Sequence, residues 1–316
     1  MKKPVALVLS SGGSKGLAQI GVINELEKQG FQITSVSGSS IGSVIGGLYA
    51  MGKLPEFTVW VKTLDRKTIW RLMDFTFSTY GLLKGVKAFD KMKTFIPDVN
   101  IEEMNVSFVA VATDIINEKE VVFNSGSFYE AIRASIAIPT ILTPVKYKET
   151  ILVDGAVLNP IPIEHVVRKD DDILVVVNLY GDKQVELGKA GLINENHIPA
   201  KLNGLIKVIS KLAISGDKRS LGYYSLLTAT TSAMVHKISK QNIEKFKPDI
   251  LINIPYDSSD TFDFHKAEEL IKLGEVAANE AILEYMKPTC IKYTNTYVYN
   301  IQACGFHQTI KLKIIY

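Results

Sequence analysis

The chain has 316 residues, with 36 Lys and Arg against 33 Asp and Glu for a formal net charge of +3, and is 47% hydrophobic and 22% charged. That length and composition exclude a small domain held by disulfide or metal staples and fit one large α/β domain or two smaller ones. The near-neutral charge, with no clustered Lys/Arg block, argues against nucleic acid as a partner, and the two cysteines, Cys290 and Cys304, suit a reducing, cytoplasmic compartment.

Lys2 and Lys3 before the apolar run at 5–9 mimic a signal peptide, but the run is too short for a secretory core and breaks at Ser10 into Ser11-Gly12-Gly13-Ser14-Lys15-Gly16. It reads instead as a buried parallel strand entering a glycine loop. A helix with apolar positions at Leu17, Ile20, Ile23 and Leu26 follows and stops at Gly30. A second strand runs through Ile33 and Val36 to Gly38, and a second helix over 41–51 is closed by Gly52. Two strand-turn-helix units in tandem argue the α/β class.

Residues 53–86 mix Trp60, Trp70, Phe75, Phe77 and Tyr80 with charges, and read as amphipathic helices. They are expected to form either a helical cover packed on the core or a lid whose aromatics face a membrane interface. Strands are expected at 106–113 and 120–123 joined by a hairpin, a helix at 128–136 ahead of Pro139, and strands at 150–153 and 172–179. The stretch 183–247 reads as a mostly helical insertion with amphipathic segments at 202–214 and 221–235. A strand at 250–255 and a long helix at 264–286 close the domain, taken as 1–287. The tail, 288–316, is weakly patterned and is assigned no function. No segment has the roughly 18 uninterrupted apolar residues of a membrane span.

Chemistry concentrates in three places. Gly38-Ser39-Ser40-Ile41-Gly42 is a G-x-S-x-G between a predicted strand and a predicted helix. Such a turn strains the serine backbone, projects its hydroxyl, and aims a helix N-terminus at developing negative charge. In the first loop, Lys15 is followed by Gly16 instead of Ser or Thr, which spoils a P-loop, and only Gly13 and Gly16 fit a dinucleotide fingerprint. What remains is an oxyanion hole of backbone N–H groups, or a simple glycine turn. Asp154, after the strand at 150–153 and before Gly155-Ala156, is the best-placed base; its alternative is a turn aspartate. The five histidines, His165, His197, His236, His265 and His307, are poorly placed for a triad.

Together, these motifs and their order resemble the patatin-like phospholipase family in its bacterial branch. Supporting stretches are Leu7-Val8-Leu9-Ser10, Ala134-Ser135-Ile136-Ala137-Ile138-Pro139 and Asn159-Pro160-Ile161-Pro162. The resemblance implies a three-layer α/β/α fold with a central, mostly parallel sheet. It implies a Ser-Asp dyad in which Ser40 attacks an acyl carbonyl, Asp154 takes its proton, and Gly12 and Gly13 hold the oxyanion, with Lys15 supporting the loop. The implied activity is that of a phospholipase A or lysophospholipase acting on lipid esters without metal or cofactor; peripheral contact at the inner membrane surface is expected separately, through the aromatics of 53–86. Two departures stand out: Ser11 replaces the first of three glycines, and Gln19 stands where bacterial members often carry histidine. An adaptor with weakened catalysis, and a Ser40, Asp154, His265 esterase triad, are the alternative readings; oligomeric state is left open.

Overall fold

A computed structural model describes residues 3–78, 81–169, 171–182, 223–287, 289–293, 296–300 and 309–312. The chain opens with β1 (Lys3–Leu9), a 3-10 turn (Gly13–Leu17), α1 (Ala18–Lys28), β2 (Phe31–Ser39) and α2 (Ile41–Ala50). Next come α3 (Leu54–Lys62), α4 (Arg66–Leu72), β3 (Phe75–Ser78), β4 (Gly81–Leu83), α5 (Val86–Lys93), β5 (Ser107–Asp114), β6 (Lys119–Phe123) and α6 (Phe128–Ser135). Short strands β7 (Thr140–Leu142) and β8 (Val145–Tyr147) lead to β9 (Thr150–Asp154), and β10 (Ile173–Gly181) follows. The rest comprises α7 (Tyr223–Phe246), β11 (Ile250–Pro255), α8 (Ala267–Met286) and a tail of β12 (Thr289–Tyr293), β13 (Thr296–Asn300) and β14 (Thr309–Leu312).

Five strands lie parallel in the order β11, β10, β1, β2, β5, and β6, β9 and β8 extend the sheet antiparallel. In β1 the pleat sends Val5, Leu7 and Leu9 to one face and Ala6 and Val8 to the other, and both sets are fully buried. The first face is covered by α1, α2, α6 and α8. Ile161, Ile163 and Val166, with Ile243 and Phe246 of α7, cover the second. Being buried on both faces is why these central strands read as unbroken apolar runs, and the sheet between two covering layers is the expected α/β arrangement.

The strands at 5–9, 31–38, 106–113, 120–123, 150–153, 172–179 and 250–255, and the helices at 17–29, 41–51, 128–136 and 264–286, stand within a few residues of their expected limits. Residues 75–83 do not: they form the β3–β4 hairpin, which joins β7 in a separate small sheet. The alternation Phe75-Thr76-Phe77-Ser78 carries a period of two that a count of aromatics among charges obscures. The reading of 53–86 as helices alone is corrected accordingly. Helix α5 is not among the expected elements, and the three-residue strands β7 and β8 are too short to leave a periodic signal. Of the insertion, the segment 202–214 and the start of 221–235 lie outside the described residues. The tail forms an antiparallel sheet of β12, β13 and β14.

Helices α1 and α8 cross at backbone contact. A Cβ added at Gly274 would stand 1.8 Å from the Ala18 carbonyl oxygen, and one at Gly21 would stand 1.9 Å from the Ile271 carbonyl oxygen. Neither obstacle is a side chain that could rotate away. Gly274→Ala is therefore expected to force the helices apart and to lower unfolding stability by about 1–3 kcal/mol, the usual cost of overpacking, as read from denaturant midpoints. A midpoint unchanged from wild type would contradict this packing.

Candidate active site

The site is assembled by strand endings. At Ala110 and Val111, β5 pairs with β2 on one edge and with β6 on the other. From Ala112 to Asp114 it still pairs with β6, so β9, its partner there, occupies the edge that β2 has vacated. β2 ends with Ser39 opposite Val111, and β9 runs in from the opposite direction to end with Asp154 opposite Ala112. Two C-termini thus meet head to head along one strand, and the next residue of β2 is Ser40. The sequence expectation that Asp154 stands at a strand end holds, but that strand is antiparallel to its neighbour.

Ser40 joins β2 to α2 with φ 53° and ψ −125°, in the region where non-glycine residues are strained. Both Ser40 and Asp154 are buried, at 5% and 3% exposure. Ser40 Oγ donates to Asp154 Oδ2 at 2.6 Å, and Asp154 Oδ1 accepts from the Ala156 amide at 2.8 Å. Burial pushes the Asp154 carboxyl up to about 7 against the opposing pull of those two bonds. The Ser40 amide donates to Ser135 Oγ at 3.0 Å, Ser135 Oγ donates to the Val111 carbonyl at 2.6 Å, and the Asp154 amide donates to the Ala137 carbonyl at 3.0 Å. The end of α6 therefore fixes both halves of the pair. Sequence reading saw Ser135 and Ala137 only as part of a supporting stretch, since neither bond has a local signature.

Glycines make the approach possible. A Cβ at Gly38 would meet the Gly42 carbonyl oxygen at 2.3 Å, and one at Gly42 would meet the Leu9 carbonyl oxygen at 2.2 Å. Gly155 sits as close to Val111 and leaves room for Ser39 Oγ, a buried hydroxyl with no hydrogen-bond partner among the described residues. Ile41 starts α2 and packs on Gly16.

The first loop leads from β1 into the 3-10 turn. The amides of Ser11 and Ser14 donate to the Pro160 and Thr261 carbonyls at 2.9 and 3.0 Å, whereas those of Gly12 and Gly13 donate to no group among the described residues. Ser14 Oγ bonds Ser259 Oγ and the Asp260 carbonyl, and Lys15 Nζ donates to the Tyr256 carbonyl at 2.9 Å. Burial holds the Lys15 ammonium below its usual value, with Asp257 and Asp260 opposing. The segment 256–261 clamps this loop and was not visible in the sequence pattern. Gln19, fully buried, donates to the Ser10 carbonyl at 2.8 Å and so supports the end of β1.

None of the described histidines is hydrogen-bonded to Ser40 or Asp154. His265 instead accepts from Arg66 Nε at 3.1 Å, so the alternative triad is not assembled here. His236 packs between the rings of Tyr180 and Tyr256. His165 lies 2.6 Å from Glu120 and near Glu164, a group with ligand atoms close enough for a metal ion. Its charges are already matched by Lys245, 3.6 Å from Glu164, and by His165, which Glu120 holds above its usual value. His197 and His307 lie outside the described residues.

A family model described as Patatin-like phospholipase matches residues 7–167. An uncharacterized NTE family protein of Mycobacterium tuberculosis is 30% identical over 330 aligned residues, covering 88% of this chain and 91% of that protein. A lysophospholipase of Aspergillus niger is 29% identical, covering 90% of this chain and 18% of that protein. One from Meyerozyma guilliermondii is 26% identical over 87% of this chain and 19% of its own length. Among solved structures, VipD from Legionella pneumophila aligns with a TM-score of 0.45 and 14% identity over 90% of this chain and 67% of that one.

Only ionised Asp154 can take a proton from Ser40, and that form is populated above about pH 7. Phosphonylation of Ser40 by a fluorophosphonate is expected to speed up about tenfold per pH unit on approaching that value from below and then to level off. Intact-mass kinetics read this directly; a rate flat between about pH 5 and about pH 9 would separate reactivity from Asp154.

Proposed function

The chain belongs to the patatin-like phospholipase family, a family of lipid hydrolases, and from that premise we propose that it cleaves carboxylic esters of phospholipids or lysophospholipids through a Ser40–Asp154 dyad. The observation that carries the reading is the 2.6 Å hydrogen bond from Ser40 Oγ to Asp154 Oδ2. A hydroxyl is a weak nucleophile until a base within hydrogen-bond reach removes its proton. Asp154 is such a base, and burial has raised its basicity toward neutrality.

In the proposed cycle Ser40 Oγ attacks the acyl carbon while its proton passes to Asp154. The carbonyl oxygen becomes an oxyanion that accepts hydrogen bonds from the Gly12 and Gly13 amides and is favoured by the N-terminus of α2. Collapse expels the alcohol half of the lipid, which takes the proton from Asp154, and leaves acyl-Ser40. Water then loses a proton to Asp154, attacks the acyl carbon, and releases the fatty acid, with the proton returning to Ser40. No step calls on a metal or cofactor. The lysophospholipase assignment of the fungal relatives supports a single-chain lipid as one substrate.

An enzyme that draws phospholipid or lysophospholipid from a membrane needs a surface that meets the bilayer. No helix among the described residues is long and apolar enough to cross a membrane. On the cover, Phe57, Val61 and Ile69 are buried and Trp60 packs on Phe57 and Phe95. By contrast the rings of Trp70 and Phe75 meet at a tilt, 5.6 Å between centres, while remaining 40% and 46% exposed, with Lys67 and Arg71 near in sequence. The proposed contact is this aromatic pair, inserted at the headgroup level with the cations drawn to anionic lipid.

Ser40→Ala and Asp154→Ala are each expected to lower lipid-ester hydrolysis by at least about 10³-fold with the fold retained. A fluorophosphonate adduct should appear in wild type and be lost in both variants; near-wild-type turnover by either would falsify the dyad. The Trp70→Ala/Phe75→Ala double variant should bind anionic vesicles at least about tenfold more weakly than wild type. Unchanged vesicle binding would discard the proposed contact.

A further inference from the structure

The glycine pair at 12–13 has no side chain to hold it, yet an oxyanion site requires its donors to be fixed before the charge appears. One residue grips both shoulders of that pair. Tyr180, near the end of β10, places its hydroxyl 2.7 Å from Ser11 Oγ, and Lys15 Nζ lies 5.6 Å from the centre of its ring. Ser11 immediately precedes Gly12 and Lys15 follows Gly13 by two residues, so the contacts bracket the free amides. Ser11 is 2% exposed, which shields its bond from competing water.

Tyr180 is itself held on several sides. Its amide donates to Asn178 Oδ1 at 3.1 Å, and Asn178 Nδ2 donates to Asn253 on β11 at 2.8 Å. Its ring meets His236 edge to face at 5.0 Å, and His236 meets Tyr256 in the same way. Tyr256 supplies the carbonyl that receives Lys15 Nζ. The hydroxyl is thus presented from a packed aromatic group on the sheet to a loop 169 positions earlier in the chain. Burial and the nearby Asp154 charge keep it protonated well above the ordinary tyrosine range.

We propose that Tyr180 is a positioning residue for the oxyanion loop, acting on Gly12 and Gly13 through its hydroxyl on Ser11 and its ring beside Lys15. In this proposal, which rests on the dyad reading above, Ser11 is not a defect in a glycine loop. It is one half of a hydroxyl pair that replaces conformational freedom with a fixed contact.

The test compares Tyr180→Phe, Ser11→Ala and the double variant with wild type on a lysophospholipid dispersed in detergent micelles. Tyr180→Phe removes the hydroxyl and leaves the ring against Lys15 and His236. Each single change is expected to lower kcat about tenfold with KM and the pH midpoint unchanged, and the double variant should lose no more than the worse single one. Hydrogen exchange of the peptide spanning the first loop should become faster in all three variants. Single variants that keep kcat within about twofold of wild type, or losses that multiply in the double variant, overturn the pairing. If wild type shows no Ser40-dependent turnover, the dyad reading has failed, and loop exchange still decides the positioning: unchanged exchange in Tyr180→Phe overturns it.

Discussion

The geometry of this protein turns on the shared edge of β5, where β2 leaves off and β9 begins from the opposite direction. Because both strands are held to β5 by ladder hydrogen bonds, the gap between their last residues is set by backbone register and not by loop flexibility. The hydrogen bond between Ser40 and Asp154 follows from that register. So does the demand for glycine at 155, where the backbone passes too close to Val111 of β5 for a Cβ, while Gly38 and Gly42 answer to the close crossing of β2, α2 and β1. The end of α6 then ties the two halves together through Ser135 and Ala137.

That arrangement works against stability in ways suited to chemistry. Ser40 sits in a strained backbone conformation, and the buried Asp154 carboxyl has a hydroxyl and an amide as its hydrogen-bond partners among the described residues. Ionising such a carboxyl costs free energy, so the folded state retains a proton that the unfolded chain has already released between about pH 4 and about pH 7. Over that window stability falls as pH rises. The surrounding double-faced core offsets the penalty, and the same penalty makes the carboxylate a stronger base. Functional and structural burial are thus one feature seen from two sides.

The remaining supports divide between the two ends of the parallel sheet. The strands β2, β5 and β9 hold Ser40 and Asp154, while β1, β10 and β11 hold the glycine loop through Tyr180, Tyr256 and the segment 259–261. The Mycobacterium tuberculosis relative matches this chain over most of both lengths, whereas the fungal relatives contain a matching stretch inside far longer chains. The family relationship therefore extends across very different chain lengths.

Local sequence determined a good deal. The apolar runs at β1 and β10, the G-x-S-x-G turn and the Asp154-Gly155-Ala156 ending each carry a short-range signature, because pleat, strain and close approach dictate residue type within a few positions. They sufficed for the α/β class, for most elements and for picking out as candidates Ser40 and Asp154, which the fold brings into hydrogen-bond contact. The hairpin at 75–83 escaped because four residues of alternation are too few to outweigh the helical pattern around them. What no pattern could decide were contacts made across long stretches of chain: Ser135 beneath Ser40, Tyr180 against Ser11, Thr261 above Gly13, and the antiparallel run of β9 that aims Asp154 at Ser40. A hydroxyl or a carbonyl looks the same in sequence whether it faces water or a catalytic turn; only the packed sheet, by fixing which strand ends meet, gave these groups their partners.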